Sequence, residues 1–468
     1  MKRVSKYTIA ALLFGVVLAG CKSFTKGYDS NPDASTSGAS ASYLFPGAQA
    51  SFDLFMEGFP SMLSALWAQQ ATGTSSQFTG YYNYTITSQD FQNDWPIAYD
   101  NVLYNLRATE RVASTAGELN LEGAAKIVEG TLMGTVADLW GDVPYSQAAQ
   151  PSLYQHPKYD KQDSVYTQVQ AVLDAGITEI TSDNNHLSAD IFSSTGDQNI
   201  WLAVAHTAKA RFLMHAARHD NYTASEMQAV IAQCQQGVLS TDGSQDMMFT
   251  HAQGVYNGDM NIWCSFIDYD RGGYMDASAT FIIPLMQSAS LDGKTNYTGQ
   301  LDYYFKPADG AFNDSPSGAF SETSPYPIFR ASETHLLWAE AAARSGQNDV
   351  AIAQLNLARE YNNKVFGDSS ADYAATDPQV STPASLLQTI VNTEYVSLMS
   401  QIEAFSLVRR VGYQIQYTDS TGTVHTMAPI HGSQFPQRFF YPINEVNTNP
   451  NMPTQPSLFS PTWANGGQ

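Results

Sequence analysis

Two helical patterns separated by a very short link constrain this chain more than anything else in it. Ser332–Ser345 has a capping residue at Ser332 and a stop at Gly346, and a second pattern from about Asn348 to Tyr361 sets Ile352, Leu355 and Ala358 three apart. Helices joined so closely fold back on one another as an αα-hairpin. Neither can bury its apolar stripe alone, so such pairs stack, and a tetratricopeptide-like array follows. The periodicity recurs in Asn199–Arg218, where Trp201, Val204, Ala205, Ala208, Phe212 and Ala216 share one stripe whose alanines permit close approach. Ser51–Gln70, Pro96–Ser114, Leu121–Trp140, Ser164–Ile180, Ala224–Leu239 and Pro383–Val411 are further helix candidates. Residues 241–331 are different: Gly, Asp, Tyr and Pro dominate and no long period survives. A long irregular segment in a helical domain is usually functional or packed as its own subregion. Residues 363–382 and 412–468 are loop-rich too. The expected fold is mainly α, a tetratricopeptide-like helix-pair scaffold with a loop-rich binding face.

Composition narrows the partners. Charged residues make up only 14% of the 468, against roughly 25% in average soluble domains, so the polar surface is largely neutral. With 23 Lys+Arg against 44 Asp+Glu, the formal charge is −21. Such a chain has no electrostatic footprint for phosphate backbones, and no nucleic-acid partner is expected.

The amino-terminus reads as an address. Lys2, Arg3 and Lys6 precede an apolar run from Ile9 to Ala19, which is shorter than the ~20 residues needed to span a bilayer. Leu18-Ala19-Gly20-Cys21 looks like a bacterial lipobox, where cleavage leaves an acylated Cys21. Several acyl chains would anchor durably where one is marginal. The expected layout is a signal peptide over 1–20, a lipidated Cys21 with a flexible tether over 21–42, and a single domain over 43–468.

Motifs that could carry chemistry have better structural readings. Asp138 and Asp142 flank Trp140, and a glycosidase needs two carboxyl groups, one protonated and one ionised. Gly141 and Pro144, however, end a helix there, and local hydrogen bonding of the two acids is expected. His215 and His219 stand four apart, yet no third ligand is evident, and Arg218 beside them suggests a solvated face rather than a metal site. Asp268-Tyr269-Asp270-Arg271-Gly272-Gly273 resembles a calcium loop but has Ala279 where the closing glutamate belongs, which favours a turn. Cys234 and Cys264 could pair in an exported chain, while a helical position for one and Trp263 beside the other fit buried free thiols better. No catalytic residue, metal or cofactor is expected.

The aromatics are the remaining resource, with 26 Tyr, 23 Phe and 7 Trp. Sugars present an apolar C–H face and a polar rim, which flat rings with a polar handle match. Trp95, Trp201 and Trp338 lie on helices and read as core. Tyr81, Tyr82 and Tyr84 in one loop, and Trp263, Tyr269 and Tyr274 in the irregular block, are the candidates for exposure on a binding face.

Four ordered segments carry a resemblance. They are Ala137-Asp138-Leu139-Trp140-Gly141-Asp142-Val143-Pro144-Tyr145; Ser324-Pro325-Tyr326-Pro327-Ile328 leading to Leu336-Leu337-Trp338-Ala339-Glu340-Ala341; Glu403-Ala404-Phe405 with Arg409-Arg410-Val411-Gly412-Tyr413; and Arg438-Phe439-Phe440-Tyr441-Pro442-Ile443-Asn444-Glu445 with Asn449-Pro450. Behind a lipobox, they resemble the SusD/RagB family of nutrient-binding outer-membrane lipoproteins, in particular its SusD-like branch. The resemblance implies a non-enzymatic, lipid-anchored protein facing the exterior of a Bacteroidetes-type cell. It would capture an oligosaccharide and deliver it to a SusC-type TonB-dependent transporter. Family ligand sites sit on variable loops, so no binding residue transfers by motif. The rival readings are a secreted α-helical glycosidase or lyase and a protein-binding tetratricopeptide scaffold.

Overall fold

The computed structural model describes residues 38–183, 186–187, 189–253 and 259–467. The signal segment, Cys21 and most of the expected tether lie outside the described residues. Ala41–Gln468 forms one compact unit, and its first helix starts within the last residues of that tether. Among the described residues no helix is long and apolar enough to cross a membrane.

Helices α1 (Ala41–Glu57) and α2 (Phe59–Trp67) come first, then strand β1 (Thr72–Gly73) and short helix α3 (Ser76–Tyr82). The scaffold runs through α4 (Tyr104–Ala116), α5 (Leu119–Trp140), α6 (Gln162–Ser182), α7 (Gln198–Ala217) and α8 (Ala224–Cys234). The irregular block holds β2 (Met247–Phe249), β3 (Met275–Asp276), α9 (Ile282–Ala289), α10 (Thr298–Tyr304), β4 (Phe305–Lys306), β5 (Ala311–Phe312) and β6 (Tyr326–Phe329). Then follow α11 (Ala331–Arg344), α12 (Asn348–Phe366), α13 (Pro383–Ser397), α14 (Ile402–Arg410), β7 (Gln416–Thr418), β8 (Val424–Thr426) and α15 (Ile443–Thr448). The strands form two-stranded antiparallel ribbons, β1–β3, β2–β6, β4–β5 and β7–β8. Helices α4 through α8 pack each on the next, α8 packs on α11, and α11 on α12 and α13. This is the mainly α helix-pair array that the periodicity implies.

Close approach depends on small residues. Helix α5 is buried along nearly its whole length. A Cβ on Gly134 would stand 2.3 Å from the Phe212 ring of α7, one on Gly130 2.7 Å from Leu173 of α6, and one on Gly123 2.7 Å from the Gly176 carbonyl. Helix α5 therefore meets both neighbours backbone-first. The α11–α12 hairpin turns at Gly346 with φ +71°, as its short link demands.

Several helix boundaries differ from the expected ones. The single helix expected over Ser51–Gln70 is two, broken at Gly58, where a Cβ would meet the Leu54 carbonyl at 2.3 Å, with Pro60 opening the second. Pro383–Val411 is likewise two helices, parted at Ser400 with φ +67°. The Tyr326 hydroxyl donates to the Ser400 carbonyl at 2.9 Å, and the Ser400 N–H donates to Gln70 Oε1 at 3.2 Å. Tertiary partners thus hold a break that the apolar pattern runs straight through. Helix α8 starts at a Thr223–Glu226 capping box and stops at Cys234 rather than Leu239. Ser332 is not the cap of α11. The helix begins at Ala331, whose N–H is taken by Asp246 Oδ1 at 3.0 Å, from a distant loop.

Gly→Ala normally stabilises a helix interior by about 1 kcal/mol, but at Gly134 the new methyl overlaps a buried ring. Gly134→Ala should instead destabilise by roughly 1–3 kcal/mol, measured as a lowered urea midpoint with an unchanged m-value.

Candidate ligand-binding site

The two loops named for their aromatics do meet. Strand β1 pairs with β3, setting Thr72 opposite Asp276 and Gly73 opposite Met275. The Thr74 N–H donates to the Tyr274 carbonyl at 2.9 Å and its hydroxyl to the Gly273 carbonyl at 2.9 Å. Three of the six candidate rings nevertheless belong to the core, which corrects the expectation that they are exposed. Trp263 is 0% exposed, packed on Phe312 and Phe320 with Nε1 donating to Ser61 Oγ at 3.0 Å. Tyr81 is buried against Phe59 and Phe78, and its hydroxyl donates to Asp90 Oδ1 at 2.7 Å. Tyr84 is buried, its hydroxyl accepting the Ile430 N–H at 2.9 Å. A ring whose single polar group finds an internal partner loses its reason to face water. Tyr269 is 48% exposed, and its hydroxyl donates to Glu322 Oε1 at 2.6 Å. Tyr82 and Tyr274 are half-buried, with Arg271 over the Tyr274 ring at 5.9 Å.

A cleft of about 460 Å³ opens nearby between α9, α13 and the β7–β8 ribbon. Tyr82 reaches the Ala279 carbonyl at 3.3 Å, and Phe281, two residues on, contacts the Tyr417 ring at a centroid distance of 5.2 Å. Tyr417 lines the cleft with Gln388, Asn392, Gln416, Tyr297 and Tyr373. The ring of Tyr417 is held by cross-strand stacking on His425, at 4.8 Å and 20°. The amides order one another. Gln416 Nε2 donates to Gln388 Oε1 at 2.8 Å, Gln388 Nε2 to Asn392 Oδ1 at 2.9 Å, and Asn392 Nδ2 to the Gln416 carbonyl at 2.7 Å.

Among the described residues that line it, the cleft has two acids, Asp292 and Asp419, and no base. Burial pushes the Asp292 carboxyl up, but the Tyr373 hydroxyl and the Thr295 and Lys294 N–H groups outweigh it and hold it below the usual carboxylate range. His425 beside Asp419, at 2.8 Å, and the Thr421 hydroxyl hold that carboxyl down as well. Both are kept ionised, which suits hydrogen-bond acceptance and not proton donation.

Sequence reasoning missed this cleft because its walls come from three separate stretches. The local signal available was Tyr417-Thr418-Asp419 and Thr421-Gly422 before Val424, a hairpin pattern inside a tail that reads as loop.

Asp138 and Asp142, the acids weighed for glycosidase chemistry, serve the scaffold. Asp142 accepts the Gln162 N–H at 3.0 Å at the start of α6 and pairs with Lys161 at 2.7 Å. Asp138 is buried, receives the Tyr166 hydroxyl, and pairs with His215 Nδ1 at 2.9 Å. His215 Nε2 lies 2.6 Å from Glu403. His215 therefore sits in the core and not on the solvated face that Arg218 suggested; His219 stacks on Trp463 at 4.2 Å. Cys234 and Cys264 are both free and buried. Asp268 lies not in a turn but in a π-helical segment, Ser265–Asp270, its carboxylate accepting from the Cys264 thiol at 3.7 Å.

Comparison with known proteins fits this architecture. Residues 37–442 match the model of a SusD-like family described as starch-binding and associating with the outer membrane. No curated protein matches the chain. A SusD/RagB family protein from Bacteroides thetaiotaomicron superposes with a TM-score of 0.65 at 18% identity, covering 92% of this chain and 100% of that one. A chitin-binding SusD homologue from Flavobacterium johnsoniae gives 0.62 at 17% identity, covering 90% and 98%. A SusD homologue from Bacteroides uniformis gives 0.65 at 18%, covering 90% and 99%.

The His215 cluster carries a pH signature. Burial by itself lowers the imidazole, but Asp138 and Glu403 outweigh it and hold His215 up at about 9 against an ordinary 6.5. A raised folded-state value means the proton contributes stability that is complete below pH 6.5 and lost as pH rises through 9. Between pH 6 and pH 9.5 the wild type should lose about 3 kcal/mol more unfolding free energy than His215→Gln, read from urea titrations.

Proposed function

The chain belongs to the SusD-like family, and on that premise we propose that it captures a neutral glycan, of the starch or chitin type, in the Tyr417 cleft and delivers it to a transporter. The observation that carries this reading is the lining itself: tyrosine rings beside interlocked amides, two acceptor carboxylates, and no cation among the described lining residues. Rings take the C–H face of a sugar, while amides and carboxylates take its hydroxyls. A polyanionic polysaccharide would need Arg or Lys there. Tyr82, Tyr269 and Tyr274 extend the site for a longer chain, through the Ala279–Phe281 link to Tyr417.

The role is capture without cleavage. A glycosidase acid has a raised pKa, whereas Asp292 and Asp419 are both held low. The delivery partner is a SusC-type TonB-dependent transporter, and the folded body over 43–468 stands on the outer surface of the outer membrane, tethered through an acylated Cys21. Labelling of producing cells with a radioactive fatty acid should mark the wild type and miss Cys21→Ala.

Calorimetry of the full chain against starch, chitin and other neutral and charged oligosaccharides, with product analysis of the same mixtures, tests the capture role. Saturable binding of intact neutral glycan is expected, weakened roughly tenfold by Tyr417→Ala and by Gln388→Ala. Shortened products would replace capture by hydrolysis. Binding lost in Tyr269→Ala and Tyr82→Ala but kept in Tyr417→Ala would move the site from the cleft to the loops.

A further inference from the structure

Asp53 and Glu57 stand four residues apart on α1, which puts both carboxylates on one side of the helix. The segment after β2 brings His251 to them. Phe249 of β2 packs on Phe52 of α1 at 5.7 Å, and β2 is itself held by pairing with β6. The Ala252 N–H donates to the Asp259 carbonyl at 2.9 Å. The side chains of Glu57 and His251 are 0% and 1% exposed.

Hydrogen bonding leaves one atom of each residue over. Glu57 Oε1 accepts the Ile262 N–H at 2.9 Å, while Glu57 Oε2, Asp53 Oδ1 and His251 Nε2 have no hydrogen-bond partner. Glu57 Oε2 and His251 Nε2 are 2.9 Å apart, the distance of an ion pair. Each of the three residues offers a donor atom within 4.8 Å of the other two. Buried polar atoms of this kind are ordinarily hydrogen-bonded, and three that converge this closely, with atoms left over, can share one ion. The charges facing Asp53 are those of Glu57, His251 and Asp259, so the pocket favours a cation.

We propose that Asp53, Glu57 and His251 form a binding site for one first-row divalent cation of the Zn²⁺ class, linking α1 to the irregular block. An imidazole and two carboxylates at ~2.0–2.2 Å from the ion suit Zn²⁺, with water completing the shell. Ca²⁺ would want six to eight oxygens, more than this pocket supplies. The other buried histidine cluster, Asp138–His215–Glu403, is already matched by the Tyr166 hydroxyl on Asp138 and by Arg211, 3.7 Å from Glu403. The site is separate from the Tyr417 cleft and does not depend on the glycan reading.

The test is titration of the EDTA-stripped full chain with Zn²⁺ by calorimetry and with Co²⁺ by visible absorption. The wild type should bind one equivalent of each, give a Co²⁺ ligand-field band, and melt at a higher temperature with Zn²⁺ present. His251→Ala and Glu57→Gln should each bind at least tenfold more weakly and lose the Zn²⁺-dependent rise. No stoichiometric binding by the wild type would overturn the site whatever the variants do. Equal binding by folded variants, checked by circular dichroism, would overturn it too.

Discussion

Arg410 carries its charge where there is no water to share it, and the array of helices closes around that fact. Glu340 of α11 accepts Arg410 Nη1 through both oxygens at 2.6 and 2.7 Å, and Glu394 of α13 takes Nη2 at 3.1 Å. About two turns earlier on α11, Glu333 makes a two-oxygen pair with Arg211 of α7 at 2.6 and 2.7 Å. Glu403 of α14 joins Arg211 to His215, and His215 leads to Asp138 on α5. A chain with few charges has thus placed many of them inside. Isolated buried charges are costly, and removing one member of such a pair strands the other. These pairs tie helices α5, α7, α11, α13 and α14 to one another, and a slip of any of them would strand a buried charge.

The ordered segments that betray the family are the parts of this lock. Arg409 Nη1 donates to the Asp138 carbonyl at 2.7 Å and to the Gln437 carbonyl at 2.9 Å. The Phe439 N–H donates to the Leu139 carbonyl at 2.7 Å, and Trp140 Nε1 to the Phe440 carbonyl at 2.8 Å. The Tyr441 hydroxyl closes on the Asp142 carbonyl at 2.7 Å. Segments nearly 300 residues apart in sequence thus cap one another's backbone, with Phe55, Phe91, Trp95 and Phe439 around the Trp140 ring. The Tyr417 cleft carries no such obligation. Its amides satisfy one another, and the β7–β8 ribbon that bears Tyr417 hangs beyond the end of α14.

How far the sequence could be read follows the range of the forces. Helical periodicity is local, and it located α5, α6, α7, α11 and α12 to within five residues. It could not see the breaks at Gly58 and Ser400, because the apolar pattern continues across both while distant partners impose the turn. His215 looked solvated because Arg218 is its neighbour in the chain, whereas its neighbours in space are Asp138 and Glu403. Trp263, Tyr81 and Tyr84 looked available because their segments have no period, and only Ser61, Asp90 and the Ile430 N–H explain why they are inside.

The sequence by itself determined that this chain is a helix-pair scaffold of the SusD-like family, since both the stripe spacing and the ordered segments are written along the chain. Only the tertiary structure decided which surfaces are open. The tyrosine and amide cleft draws on residues near 292, 388 and 417, and the Asp53–Glu57–His251 cluster joins a helix to a loop almost 200 residues away. No local pattern records such meetings, because they are set by how elements distant in the chain pack together.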